Sequence, residues 1–131
     1  MTSTARRYAV RRHDASVVIA DADRRVRHSL AELVRLGGVN VAGAAADAGE
    51  ALRVIDEQDP DLLVLDPQLP TAAAGAELLA TVRRIRPSMQ VLLMGWPARD
   101  DSAPPDLSYV SKAASPAELL RAILAALPVR R

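Results

Sequence analysis

Cysteine is absent from the 131 residues, which excludes disulfides and thiolate metal sites. Phenylalanine is absent too, so Leu, Val, Ile and Ala must fill any core; half the residues are hydrophobic, which is enough for a sizeable one. No apolar run approaches the roughly 20 residues that span a bilayer. The stretch from Met1 to Ser16 is polar and has no apolar signal core, so a soluble, cytoplasmic protein with no membrane partner is expected. Charge of one sign is not in excess. The net charge is +1, and Arg6, Arg7, Arg11 and Arg12 crowd into the first sixteen residues, where a solvated leader over residues 1–15 is expected. Lysine is almost missing. Sixteen of the seventeen basic side chains are Arg, and the exception is Lys112. Arg offers a flat bidentate fork and Lys a compact, mobile point charge, so a site that needs the point charge would resist replacement.

What is present is an alternation of short apolar runs and helical patterns. Ser16 to Ala20 reads as a buried strand that stops at Asp21. From Arg24 to Leu36, Val26, Leu30, Leu33, Val34 and Leu36 recur near one helical face, and Gly37-Gly38 ends that helix. Val39 to Gly43 reads as a second strand. Asp47 caps a helix from Ala48 to Gln58, and Asp59-Pro60-Asp61 breaks it. Leu62 to Leu65 is a third strand, again ending on an acid, Asp66. A loop is expected from Pro67 to Ala74, a helix from Gly75 to Ile85, and strands at Val91–Met94 and Ser108–Ser111. Ser115-Pro116-Ala117-Glu118 joins an N-cap Ser, a first-turn Pro and a Glu three residues on, a strong start for a last helix reaching about Leu127. Between residues 95 and 107, Pro97, Pro104 and Pro105 leave room for one helical turn at most, so a loop is expected where an alternating fold would put its fourth helix. The whole implies a single α/β domain over 16–127 with a parallel sheet, followed by a short tail, 128–131.

Ligands of an open parallel sheet bind at the carboxyl ends of its strands. Asp21 and Asp23 follow the first strand, Asp66 ends the third and Lys112 follows the fifth, so all four are expected at one sheet edge. Crowded carboxylates repel unless a cation intervenes, and hard oxygen donors on such an edge suit Mg²⁺. An adjacent ammonium adds neutralisation or holds a phosphoryl oxygen. That set fits an aspartate acting as nucleophile towards phosphorus. No Gly-rich phosphate loop follows any strand, which argues against a nucleotide-binding enzyme.

Several segments resemble the receiver domain of two-component response regulators. They are Ser16 to Asp21, the run Pro60-Asp-Leu-Leu-Val-Leu-Asp66-Pro-Gln-Leu-Pro70, Tyr109-Val-Ser-Lys112, and the last helix from Ala113 to Ile123. Val41-Ala-Gly-Ala-Ala45 and that helix resemble the LuxR/NarL-type branch. The resemblance implies a flavodoxin-like, doubly wound, five-stranded parallel sheet. It makes Asp66 the phosphoacceptor and Lys112 the phosphoryl-contacting cation. Asp21 becomes a Mg²⁺ ligand alongside Asp66, Gln68 lends its backbone carbonyl, and Tyr109 is the switch aromatic. It also implies a histidine kinase or another signalling protein as partner and allows a homodimer.

The departures bear on mechanism. The family's second acidic residue falls on Ala22, with Asp23 as a substitute ligand one position on, so Mg²⁺ should bind weakly. The family's switch hydroxyl falls on Gly95, and Trp96 takes the next position, which is usually small. The loop between Pro70 and Gly75 is one residue longer than the family's. Only Pro128 to Arg131 follow the last helix, so an atypical stand-alone receiver is expected, neither an enzyme nor a direct nucleic-acid binder. Two readings follow: a phosphorylated switch, or a binding module that keeps the fold and works without phosphorylation.

Overall fold

The computed structural model describes residues 15–96 and 104–128. Five strands and four helices follow in the order β1 (Ser16–Ala20), α1 (Arg24–Leu36), β2 (Asn40–Ala45), α2 (Ala48–Gln58), β3 (Leu62–Leu65), α3 (Ala72–Ile85), β4 (Gln90–Gly95), β5 (Ser108–Ser111) and α4 (Pro116–Ala126). All neighbouring strands are parallel, in the order β2-β1-β3-β4-β5, the flavodoxin-like winding. The chain steps from β1 outward to β2 and then returns past β1 to β3. The winding direction therefore reverses between β1 and β3, and the crevice at their carboxyl ends is the topological switch point.

Alternation along the strands sorts the core into two layers. Val18, Ala20, Leu63, Leu65 and Leu93 face Ile55 of α2 and Leu78 and Val82 of α3. Val17, Ile19, Leu62, Val64 and Leu92 face Leu30 and Val34 of α1 and Ile123 of α4. Because both faces are covered, the central strands read as unbroken apolar runs. All four helices begin at a side-chain cap. Asp23, Asp47, Thr71 and Ser115 each accept a backbone N–H of the first turn.

Four elements differ from expectation in their bounds. Helix α3 starts at Ala72 and not at Gly75, because the Thr71 hydroxyl accepts from the Ala74 N–H and the three alanines that follow are strong helix formers. The expected loop from Pro67 to Ala74 is correspondingly shorter. Strand β2 starts at Asn40, since the Val39 N–H still bonds to the Val34 carbonyl at the close of α1, and it runs on to Ala45. Strand β4 extends from Gln90 to Gly95 by pairing Gly95 with Ser111. Helix α4 ends at Ala126. Leu36, expected on the apolar face of α1, is exposed instead, because the last residue of the helix turns past the face that buries Leu30, Ala31 and Val34.

No helix lies between β4 and β5 among the described residues; Pro104 to Leu107 form a turn closed by a 3.3 Å bond from the Leu107 N–H to the Pro104 carbonyl. Pro97 and the pair Asp100-Asp101 lie outside the described residues, as do the expected leader up to residue 14 and the tail beyond Pro128. Ala15 is buried, and its carbonyl accepts from the Asn40 N–H. No helix among the described residues is long and apolar enough to cross a membrane.

Candidate functional site

The register of the sheet brings the site together. Ala20 of β1 is the partner of Leu65 in β3, so Asp21 and Asp66 are the next residues of two adjacent strands. Both remain tied to the ladder: the Asp66 N–H donates to the Ala20 carbonyl and the Asp21 N–H to the Ala45 carbonyl, each at 3.0 Å. At the other edge the last pair is Gly95 with Ser111, and the Lys112 N–H donates to the Gly95 carbonyl at 3.1 Å. Strand β4 separates β5 from β3, so Lys112 starts two strand spacings, roughly 10 Å, from Asp66. The long stem of Lys crosses that gap, which no short cationic group would do.

The Lys112 ammonium lies 2.5 Å from Asp21 Oδ2 and 2.5 Å from Asp66 Oδ2. The three side chains are 5%, 4% and 12% exposed, respectively for Lys112, Asp21 and Asp66. Burial alone would pull the Lys112 pKa down. Hydrogen bonds and charge from Asp21 and Asp66 outweigh it, and the net pKa is raised above the usual lysine value. The remaining carboxylate oxygens are also engaged. Asp21 Oδ1 accepts from the Asp23 N–H at 2.8 Å, and Asp66 Oδ1 accepts from the Gln68 N–H at 2.9 Å. These contacts hold each carboxylate in one orientation, with a net charge of about −1 on the triad.

Asp21, Asp66 and Lys112 thus converge as the strand ends suggested. Asp23 does not join them. It is exposed, and its Oδ1 accepts from the Arg25 and Val26 N–H groups at 2.8 and 3.3 Å, which caps α1. Among the described residues no group of three or more acidic or His side chains gathers around a common point. The donors that do converge are two carboxylates beside the Gln68 backbone. This set fits Mg²⁺, which keeps several waters and takes one or two carboxylates. Lys112 holds the same Oδ2 atoms and so competes with such an ion.

Gly95 is buried at the end of β4, and Tyr109 of β5 is half-buried and packs on the core layer containing Leu65 and Leu93. Trp96 is 61% exposed. Asp66, Leu79, Arg83, Trp96 and Tyr109 line part of an open cavity of about 560 Å³ between α3 and β5. Arg83 is paired with Asp106 at its rim.

Two supporting residues escaped the sequence reading. Arg27 Nη1 donates to the carbonyls of Asp21 and Ala22 at 2.8 and 3.1 Å, which fixes the turn after β1. Its signal is one more Arg on the polar side of an Arg-rich helix, which marks nothing. Gly75 is the second; a Cβ there would stand 1.8 Å from the Pro67 carbonyl oxygen. Its presence in a helix, where Gly is unfavourable, was a signal of close backbone approach.

The sequence pattern of the response regulator receiver domain family matches residues 17–124. The transcriptional regulatory protein PdtaR of Mycobacterium tuberculosis is 30% identical over 84 residues, which make up 64% of this chain and 40% of the relative. The match therefore spans well under two thirds of that protein. The fold superposes on the Vibrio cholerae chemotaxis protein CheY4 with a TM-score of 0.74 at 21% identity, covering 87% of this chain and 99% of that one. A CheY-like receiver domain protein from Methanospirillum hungatei gives a TM-score of 0.72 at 28% identity, over 84% of this chain and 90% of its own.

Proposed function

This chain belongs to the response regulator receiver domain family, and on that premise we propose that it is a phosphorelay module whose phosphoacceptor is Asp66. The observation that carries the reading is the buried triad in which one ammonium spans Asp21 and Asp66. In the proposed transfer, an Asp66 carboxylate oxygen attacks the phosphorus of a phosphohistidine on a histidine kinase. The P–N bond breaks, its electron pair returns to the imidazole nitrogen, and an acyl phosphate forms on Asp66. The Asp66 backbone contacts and the Gln68 N–H hold the nucleophile at the sheet edge. Lys112 passes from pairing carboxylates to pairing the new phosphoryl oxygens, and no solvent reorganisation is needed because the cation is already in place. Mg²⁺, when bound by Asp21, Asp66 and the Gln68 backbone carbonyl, supplies further neutralisation of phosphoryl charge. Output runs through protein contacts, with a signalling protein or a second copy of the chain as partner. The segments Val41–Ala45 and Ala113–Ile123 support placement in the LuxR/NarL-type branch as an atypical member.

A phosphorylation-independent binding module is the second reading. What favours it is the absence of a carboxylate at Ala22 and of a hydroxyl at Gly95, together with the use of Asp23 as a helix cap. Treatment of the full chain with acetyl phosphate and Mg²⁺, followed by intact mass, separates the two. The first reading expects a gain of one phosphoryl group that disappears in Asp66→Asn. No gain at any Mg²⁺ concentration would leave the second.

A further inference from the structure

Gly95 stands where a side chain would collide with Tyr109. In the register of β4 and β5, Tyr109 is opposite Leu93, and Gly95 lies two residues further along the same face. Side chains lean along the strand direction, so the Tyr109 ring is free to reach over Gly95 only if nothing projects from it. The contact is close: a Cβ on Gly95 would lie 2.7 Å from the Tyr109 hydroxyl oxygen and 3.6 Å from its Cζ. That Cβ would also be 3.7 Å from Cδ of Pro67, the residue after Asp66. The phenol thus closes on Gly95 in the cavity wall that both share with Pro67, in the loop that carries the acceptor.

We propose that Gly95 is a positioning residue that keeps the Tyr109 ring inward, over the end of β4, whether or not Asp66 carries a phosphoryl group. A hydroxyl-bearing or even a methyl side chain at this position would have to move, or expel the ring, before the ring could enter. Gly removes that condition. The inward ring is then the resting state of the face formed by β5 and its neighbours, and the face presents one shape to a partner. The independence from phosphorylation rests on the reading of Asp66 as acceptor; the inward pose does not.

Nuclear Overhauser contacts in the full chain test the pose directly. Contacts from the Tyr109 ring to the Gly95 Hα protons are expected in the free protein, unchanged in intensity after Mg²⁺ and beryllofluoride are added. Their absence in the free protein, or their appearance only with beryllofluoride, would overturn the proposal. Fluorine resonances of the bound mimic report separately on Asp66. If none appear, the acceptor reading fails while the ring contacts still decide the pose. Substitution supplies the second arm. Gly95→Ala should lose the ring contacts and lower the melting temperature. The double variant Gly95→Ala/Tyr109→Phe should recover the stability of Tyr109→Phe alone, because the nearest remaining ring atom would sit at ordinary contact distance. A Gly95→Ala protein that keeps both the contacts and the melting temperature would overturn the idea. So would a double variant no more stable than Gly95→Ala.

Discussion

Gly75 and Pro67 touch backbone to backbone: the Gly75 Cα packs so close that a Cβ built on it would lie 1.8 Å from the Pro67 carbonyl oxygen and 2.6 Å from its carbon. The first turns of α3 are thereby pressed against the loop that leaves Asp66. An exposed helical Gly→Ala exchange ordinarily stabilises by up to about 1 kcal/mol. Here overpacking against a rigid backbone reverses the sign. Gly75→Ala is expected to destabilise by about 3 kcal/mol or more, read as a lower urea midpoint. An unchanged or higher midpoint would show that the loop yields freely.

Removing the ammonium should be costly and pH-dependent. Lys112→Met leaves two buried carboxylates facing each other without a cation, a change expected to cost about 3–5 kcal/mol. The folded-state pKa of Lys112 is raised, so its contribution is fully present below the unfolded value of about 10.4 and is lost as pH rises through the higher folded value. The stability gap between the parent and Lys112→Met should therefore be flat near neutrality on the Lys112 side of the balance and shrink in alkali. Paired thermal melts across that range decide it; a gap that does not shrink as pH rises past the ordinary lysine range would mean the charge is not its source.

Metal affinity should respond to the position after Asp21. Ala22 is exposed beside the triad, and Asp23 is committed to the α1 cap. Ala22→Asp adds a hard donor and is expected to tighten Mg²⁺ binding about tenfold or more, measured by titration calorimetry. Equal affinities in parent and variant would show that the two existing carboxylates and water already satisfy the ion.

The last helix offers a local test. Ser115 Oγ accepts from the Glu118 N–H at 3.2 Å and donates to Glu118 Oε1 at 3.1 Å. Ser115→Ala should cost about 1 kcal/mol with an unchanged denaturant slope. A loss below a few tenths would place the start of α4 under the control of its apolar face and not of its cap.

Much of the architecture follows from short-range pattern. The apolar runs Ser16–Ala20 and Leu62–Leu65, the caps Asp47 and Ser115, and the breakers Gly37-Gly38 and Asp59-Pro60-Asp61 act within a few residues of themselves, so their effect can be read without knowing the fold. Parallel winding then carries the acids that end β1 and β3, and the Lys that follows β5, to one edge of the sheet, which is why Asp21, Asp66 and Lys112 were recognisable as a set.

What only the tertiary structure decided depends on which atoms meet across strands. Whether Asp23 turns to the site or to its own helix was settled by competition between two sets of donors, and the N–H groups of α1 won because they lie two and three residues away. That a single ammonium serves both carboxylates depends on β4 separating β5 from β3 by a distance the lysine stem can span. The meanings of Gly75 and Gly95 are likewise tertiary. Neither has a positive φ that a local rule would flag, and each is required by an atom far away in sequence: the Pro67 carbonyl against the helix, and the Tyr109 hydroxyl from the next strand. Sequence alone determined the order and type of the elements because these arise from local periodicity and backbone chemistry. Excluded volume between distant segments determined where a side chain could not be.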